Sequence, residues 1–395
     1  MTSGLRVGRL AGIDIYLDWS LAIIFFLIMA ALGLGLLPTW HPDWGPATVW
    51  GTALAAAVLF FVSILVHEMS HALVGRAYGM TVPRITLFVF GGMAHLEDEP
   101  GDWKAEFWMA IAGPVTSILL GLLFAVLANL TVDPALIDPS APRETLAALG
   151  PFATICMWLA PVNLVLGLFN LVPGFPLDGG RVLRAALWGL TGRMEAATRH
   201  ATRMGQLVAW LLIGTGFAMI LGVQVPFFGT GAVGGLWLAL IGWFLNNAAR
   251  GSYTQVLVRS RLADVAMRRL MSTHFTAVAP DITVAELIDR HLLHGDQRAF
   301  PVVEDGRLAG LITLTDVRRL PRERRADTRV RDVMMPTDRL VTVRADEPAS
   351  EAAIRLSERG INQLPVVSAA GGIEGLVRRE DVLKWLALYN DESFE

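Results

Sequence analysis

The chain has 395 residues, of which 53% are hydrophobic and 17% charged, with a formal net charge of -3 at pH 7. That balance gives no basic surface for nucleic acid, and no Lys/Arg cluster interleaved with aromatics supplies one, so no nucleic-acid partner is expected. Cys156 is the only cysteine, which excludes an intrachain disulfide, a CxxC redox pair and a thiolate metal site; it reads as a small buried residue of an apolar helix.

The first apolar segment, 17–37, is long enough to span a bilayer, and no small-residue cleavage motif follows it, so it reads as a span and not as a cleaved leader. Further spans are expected at about 48–75, 105–130, 152–172, 206–223 and 231–248, six in all. Arg6 and Arg9 precede the first span. Arg76, Arg84 and Lys104 follow the second, and Arg181, Arg184, Arg193, Arg199 and Arg203 follow the fourth. The alternate connections carry only Arg143, so the N-terminus and everything after Arg250 are expected on the cytoplasmic side of the inner membrane. Trp40, Trp44 and Trp50 cluster at the opposite interface.

At the end of the apolar run 58–66 lies His67-Glu68-Met69-Ser70-His71. Histidines at i and i+4 share a helix face and reach one Zn²⁺, while the intervening glutamate lies beside the open coordination position as a general base. Ionisable groups at membrane depth are costly and usually mark function. Residues 82–96 are rich in β-formers and broken by Gly91-Gly92, which predicts a hairpin dipping toward the site. Ala112-Gly113-Pro114 then predicts a kink and a close helix contact.

Residues 170–181 interrupt an apolar segment with two prolines, three glycines and Asp178. A catalytic zinc takes three protein ligands, so the HExxH pair needs a third, and Asp178 is the preferred candidate. His95 is the intramembrane alternative, and Glu97, Asp98, Glu99 and Asp102 read as a solvated acidic loop. Asn163 and Asn170 are seven apart and share a helix face. They are candidates for binding a substrate's exposed backbone, or for bonding between helices.

The HExxH helix, the Gly91-Gly92 hairpin, Ala112-Gly113-Pro114 and Pro176-Leu177-Asp178-Gly179-Gly180, in that order over residues up to about 250, resemble the site-2 protease family of intramembrane metalloproteases. The resemblance implies one zinc held by His67, His71 and Asp178, with Glu68 catalytic. It also implies transmembrane protein substrates, such as membrane-anchored anti-sigma factors or signal-peptide remnants.

Beyond Arg250 charged residues become dense and a repeat appears. Ala299-Phe300-Pro301-Val302-Val303 recurs as Gln363-Leu364-Pro365-Val366-Val367, and the stretch reaching Asp316 recurs as that reaching Asp381. Each unit reads as strand, helix, strand, strand, helix, and so short an α/β unit buries its face against its copy. The pattern over about 262–390 resembles a tandem of cystathionine-β-synthase (CBS) domains. That resemblance implies a homodimer, with the pair either holding an adenine nucleotide (ATP, ADP or AMP) at Thr313 and Asp316 or serving for dimerisation alone. In the second copy Asp381 remains, but Arg378 replaces the hydroxyl residue.

The expected architecture is therefore an α-helical polytopic membrane domain of about six spans with a small re-entrant β-hairpin, 1–250, followed by a cytoplasmic α/β CBS pair, 251–323 and 324–395. The expected activity is intramembrane peptide hydrolysis regulated by the CBS pair. A membrane transporter or a catalytically silent scaffold is the rival reading; the first does not explain the HExxH spacing, and against the second every required catalytic group is present.

Overall fold

The computed structural model of the chain describes residues 4–89, 91–96, 100–132, 142–226, 229–263 and 265–388. It divides into two compact units, Met1–Tyr253 and Thr254–Glu395.

In the first unit, α1 (Ser20–Ala30), a π-helical stretch (Ala31–Leu36) and α2 (Leu37–Trp40) form one continuous apolar rod. It is followed by α3 (Pro46–Ala77), α4 (Trp103–Thr131), the short α5 (Pro142–Ala147) and α6 (Pro151–Asn170). Next come α7 (Asp178–Thr191), α8 (Met194–Ile220) and α9 (Ala232–Leu262). Among the described residues, six helical stretches are long and apolar enough to cross a membrane: Ser20–Trp40, Pro46–Ala77, Trp103–Thr131, Pro151–Asn170, Met194–Ile220 and Ala232–Gly251. Their outward faces carry exposed Leu119, Leu122, Val126, Val165 and Leu211, as lipid contact requires. Inside, small residues bring backbones together. A Cβ at Gly121 would lie 2.9 Å from the Ala160 carbonyl oxygen, and one at Gly167 only 2.8 Å from that of Pro114, so α4 and α6 pack nearly backbone to backbone. The helix α4 runs through Pro114 without a break.

The expected hairpin is present as β3 (Arg84–Phe88) and β4 (Gly91–His95), paired antiparallel with Leu87 opposite Gly92. It belongs to a larger sheet of order β1-β2-β3-β4, in which β1 (Gly4–Leu10) and β2 (Ile13–Asp18) form a second hairpin and β2 runs parallel to β3. The sequence reading missed these two strands, although Ile13 and Ile15 alternate inward at period two. The first span accordingly starts at Ser20 and not at 17: Leu17 pairs with Leu87, and the Asp18 carboxylate accepts from the Ser20 amide at 2.9 Å. Two further expectations shift. The fifth span is the end of a longer helix beginning at Met194, and α9 continues past Arg250, because a helix may leave the bilayer without ending.

The second unit holds two similar modules. One comprises α10 (Val284–Leu287), β5 (Ala299–Glu304), β6 (Arg307–Thr313), α11 (Leu314–Arg319), α12 (Val330–Val333) and β7 (Met335–Pro336), with sheet order β5-β6-β7. The other comprises β8 (Val343–Arg344), α13 (Ala349–Glu358), β9 (Gln363–Val367), β10 (Ile373–Arg378) and α14 (Arg379–Leu388), with order β10-β9-β8. Phe300, Val302 and Ile312 build one core, and Leu364, Val366 and Val377 the other. The first strand of the first module is reduced to a single bridge, Val278 to Val302. The modules join directly, the Leu308 amide donating to the Gly371 carbonyl at 3.0 Å.

Candidate metal centre

Near the end of α3, His67 and His71 are both buried, and across from them Asp178 opens α7. The Asp178 Oδ2 lies 3.1 Å from each Nε2, and the two Nε2 atoms are 3.2 Å apart. Among the described residues these three form a group able to hold a metal ion, one donor atom from each within 4.8 Å of the others. A tetrahedral ion with bonds of about 2.0 to 2.1 Å holds its ligand atoms about 3.3 Å apart, so the observed spacings fit one zinc.

The remaining ring nitrogens are committed elsewhere. His71 Nδ1 meets the Met109 carbonyl oxygen at 2.6 Å, and His67 Nδ1 meets the Ser117 hydroxyl at 2.8 Å. With Nδ1 as the donor in each case, both Nε2 lone pairs face the shared point, the arrangement that orients metal-binding imidazoles. Ser117 and the Met109 carbonyl escaped the sequence reading. The signal was there: Glu106, Met109, Gly113 and Ser117 recur at helical spacing along one face of α4.

Three glycine positions explain the motifs around the site. A Cβ at Gly113 would fall 2.1 Å from His71 Nε2 and 2.7 Å from His67 Nε2, so only glycine lets α4 back onto the imidazoles. At Gly92 a Cβ would fall 2.3 Å from Glu68 Cγ, which places the backbone of β4 against the Glu68 side chain. Gly179 sits over the Leu171 and Val172 carbonyl oxygens, 2.4 Å from each by the same measure, and so allows α7 to fold back over the end of α6.

The helix α7 is held by a buried ion pair. Glu106 of α4 is fully buried and accepts from Arg184 Nε at 2.6 Å through Oε1, with Arg184 Nη2 on the same oxygen. Arg184 also lies over the Phe175 ring, 5.2 Å from its centroid. Arg184 was counted from sequence as a loop cation that orients the protein. Its charge is instead neutralised inside the fold, and it drops out of that count.

The other sequence candidates fall as follows. Asp102 caps α4, accepting from the Ala105 amide at 2.8 Å. Glu97, Asp98 and Glu99 lie outside the described residues. His95 ends β4 opposite Arg84, and its side chain is likewise outside them. Asn163 is fully buried, donates to the Leu159 carbonyl at 2.9 Å, and among the described residues its Oδ1 has no partner. Asn170 donates to the Leu166 carbonyl at 3.0 Å. Neither asparagine is hydrogen-bonded to the His67, His71 and Asp178 group.

In the second unit the structure brings Thr313 and Asp316 into contact as a capping box. Asp316 Oδ2 accepts from the Thr313 hydroxyl at 2.6 Å and from its amide at 3.0 Å. Asp381 is engaged by Arg378 through Nε and Nη2, both at 3.1 Å, and by the Arg378 amide at 2.9 Å.

A model of peptidase family M50 matches residues 55–213, and a CBS domain model matches 265–323 and 330–388. A protein of Mycobacterium tuberculosis named "Putative zinc metalloprotease Rip3" is 34% identical over 390 residues, covering 98% of this chain and 94% of its own. "Zinc metalloprotease MJ0392" of Methanocaldococcus jannaschii is 25% identical over 393 residues, 98% of this chain and 97% of its own. The solved "Site-2 Protease from Methanocaldococcus jannaschii" is 26% identical, covers 63% of this chain and 94% of that one, and superposes with a TM-score of 0.41.

Proposed function

This chain belongs to peptidase family M50, and on that premise we propose that it is an intramembrane zinc endopeptidase that hydrolyses peptide bonds of transmembrane segments. The observation that carries the reading is the convergence of His67, His71 and Asp178 within a bundle of membrane-spanning helices, with Glu68 on the same turn of α3. A zinc ion held by these three would polarise the scissile carbonyl and make a water nucleophilic near neutral pH. Glu68 takes the proton from that water and returns it to the leaving amine. Ser117 and the Met109 carbonyl hold the imidazoles in the required tautomer.

A transmembrane helix hides its amides in internal hydrogen bonds, so a scissile segment has to unwind first. The strand β4 ends its sheet and packs against Glu68, so a substrate strand added to its open edge would replace the lost helix bonds beside the catalytic carboxylate. The unpartnered Oδ1 of Asn163 supports a role for Asn163, with Asn170, in accepting backbone amides of that strand. Membrane-anchored anti-sigma factors and signal-peptide remnants are the substrates that the family resemblance implies.

The CBS pair is the proposed regulator, dimerising the protein and binding ATP, ADP or AMP at Thr313 and Asp316. Asp381, engaged by Arg378, contributes less. Arg6, Arg9, Arg76, Arg84 and Lys104 in the connections on one side support a cytoplasmic N-terminus and a cytoplasmic CBS pair. Nucleotide titration of the full chain by calorimetry tests the regulator, and absence of heat together with nucleotide-independent cleavage would reduce the pair to a dimerisation device. Comparative membrane proteomics of cells carrying wild type or Glu68→Gln tests the protease: membrane proteins with intact spanning segments should accumulate with the variant, and identical proteomes would reject the reading.

A further inference from the structure

Asp178, Arg181 and Arg184 stand three residues apart along α7 and so follow one another on one face of the helix. Asp178 joins the metal group and Arg184 joins Glu106, which leaves Arg181 between a metal centre and a buried ion pair. Its charged neighbours are Glu106, Arg184, Asp178 and Glu68. Yet among the described residues its guanidinium makes no hydrogen bond and no ion pair, although it presents five donors in a rigid fork. An arginine half withdrawn from water with its donors unused is expensive unless something else receives them.

Charge counting shows what is missing. Two positive charges on a bound zinc offset the carboxylates Glu68 and Asp178, and Arg184 offsets Glu106. Among the described residues Arg181 then remains as one uncompensated positive charge beside the reacting centre. A site poised with a surplus cation is complementary to an anion that is absent in the resting state and develops during the reaction.

Resting on the protease reading above, we propose that Arg181 is a catalytic residue whose guanidinium donates to the scissile carbonyl oxygen as it becomes an oxyanion. The water oxygen forms a bond to the carbonyl carbon while Glu68 removes its proton, and the carbonyl π pair moves onto the oxygen that Arg181 faces. The C–O double bond then reforms, the C–N bond breaks, and Glu68 delivers the proton to the departing nitrogen. Arg181 keeps its own protons throughout and supplies only hydrogen bonds and charge.

The test uses the full chain in liposomes, a fluorogenic transmembrane peptide, and the phosphinic analogue of that peptide as a stable mimic of the tetrahedral oxyanion. Arg181→Gln and Arg181→Ala should keep their zinc, lose roughly 10²- to 10³-fold in kcat with KM little changed, and weaken phosphinate binding by the same factor as kcat/KM. Arg181→Lys should fall between, and added guanidinium should partly rescue Arg181→Ala. A rise in KM with kcat intact, or phosphinate affinity that does not move, would overturn the proposal. So would recovery of Arg181→Gln by Glu106→Gln, since it would mean that Arg181 serves only to neutralise Glu106, and so would loss of zinc in all three Arg181 variants. Failure of the wild type to cleave, with zinc bound, would instead defeat the protease reading itself.

Discussion

Replacing Gly113 by alanine adds a single methyl group against the two imidazoles of the metal group. That Cβ would sit 2.1 Å from His71 Nε2, 2.5 Å from His71 Cε1 and 2.7 Å from His67 Nε2. Ordinary van der Waals contact begins at about 3.4 Å, so the methyl group overlaps the ring by more than 1 Å. The ring cannot swing away cheaply, because its Nδ1 is bonded to the Met109 carbonyl of the same helix that carries Gly113. Either α4 separates from α3 or His71 leaves its ligand position. Loss of an outer partner of a metal ligand costs 10- to 100-fold in affinity, and displacing the ligand itself should exceed that, so zinc affinity should fall by at least about 100-fold, near 2.7 kcal/mol. Competition with a chromophoric chelator measures it, with circular dichroism to confirm that the helices persist. Gly51→Ala is the control, since it lies on the same α3 with nothing within 4 Å of its added Cβ and should leave zinc binding unchanged. Wild-type zinc affinity in Gly113→Ala would refute the packing argument.

Other perturbations reach the site from further out. Ser117→Ala should lower metal affinity or turnover 10- to 100-fold by releasing His67 Nδ1, read by the same chelator competition. Glu106→Gln or Arg184→Met alone should destabilise the first unit by about 3 to 5 kcal/mol in detergent unfolding, because each leaves a buried charge unpaired, whereas the double variant should recover much of that loss. His41 lies outside the spans, buried between the Thr154 hydroxyl at 2.9 Å and the Ala147 carbonyl at 3.3 Å and stacked on Trp44. Burial holds its pKa below the ordinary 6.5, so the unfolded chain binds the proton more readily. Its contribution is therefore complete above about pH 6.5 and is lost as pH falls through the folded value, and hydrogen exchange around 41–49 and 142–154 should quicken on acidification in wild type but not in His41→Phe.

What the sequence disclosed followed from strong local signals. Long apolar runs located the spans and the i, i+4 spacing located the two histidines, while Asp178 was legible as the carboxylate of a broken apolar segment and through the resemblance carried by Pro176-Leu177-Asp178-Gly179-Gly180. The N-terminal strands were hidden because β1 carries two glycines and sits beside the first span, where continuous hydrophobicity outweighed the alternation of Ile13 and Ile15. The helix α7 was missed because its arginines resemble a positively charged loop, and only tertiary structure shows Arg184 buried on Glu106. Ser117 and Gly113 needed the partner helix: nothing in α4 by itself shows that its small-residue face meets two imidazoles.

The central claim is that Glu68 and the zinc trio perform hydrolysis. Its most direct measurement is cleavage of a single transmembrane peptide by purified protein in liposomes, with zinc counted in the same samples. Wild type should carry one zinc per chain and cut within the spanning segment. Glu68→Gln should carry the same zinc and cut nothing detectable, because it loses the base and no ligand. Asp178→Ala should lose zinc and cleavage together. Normal cleavage by Glu68→Gln, or full zinc in Asp178→Ala, would contradict the account.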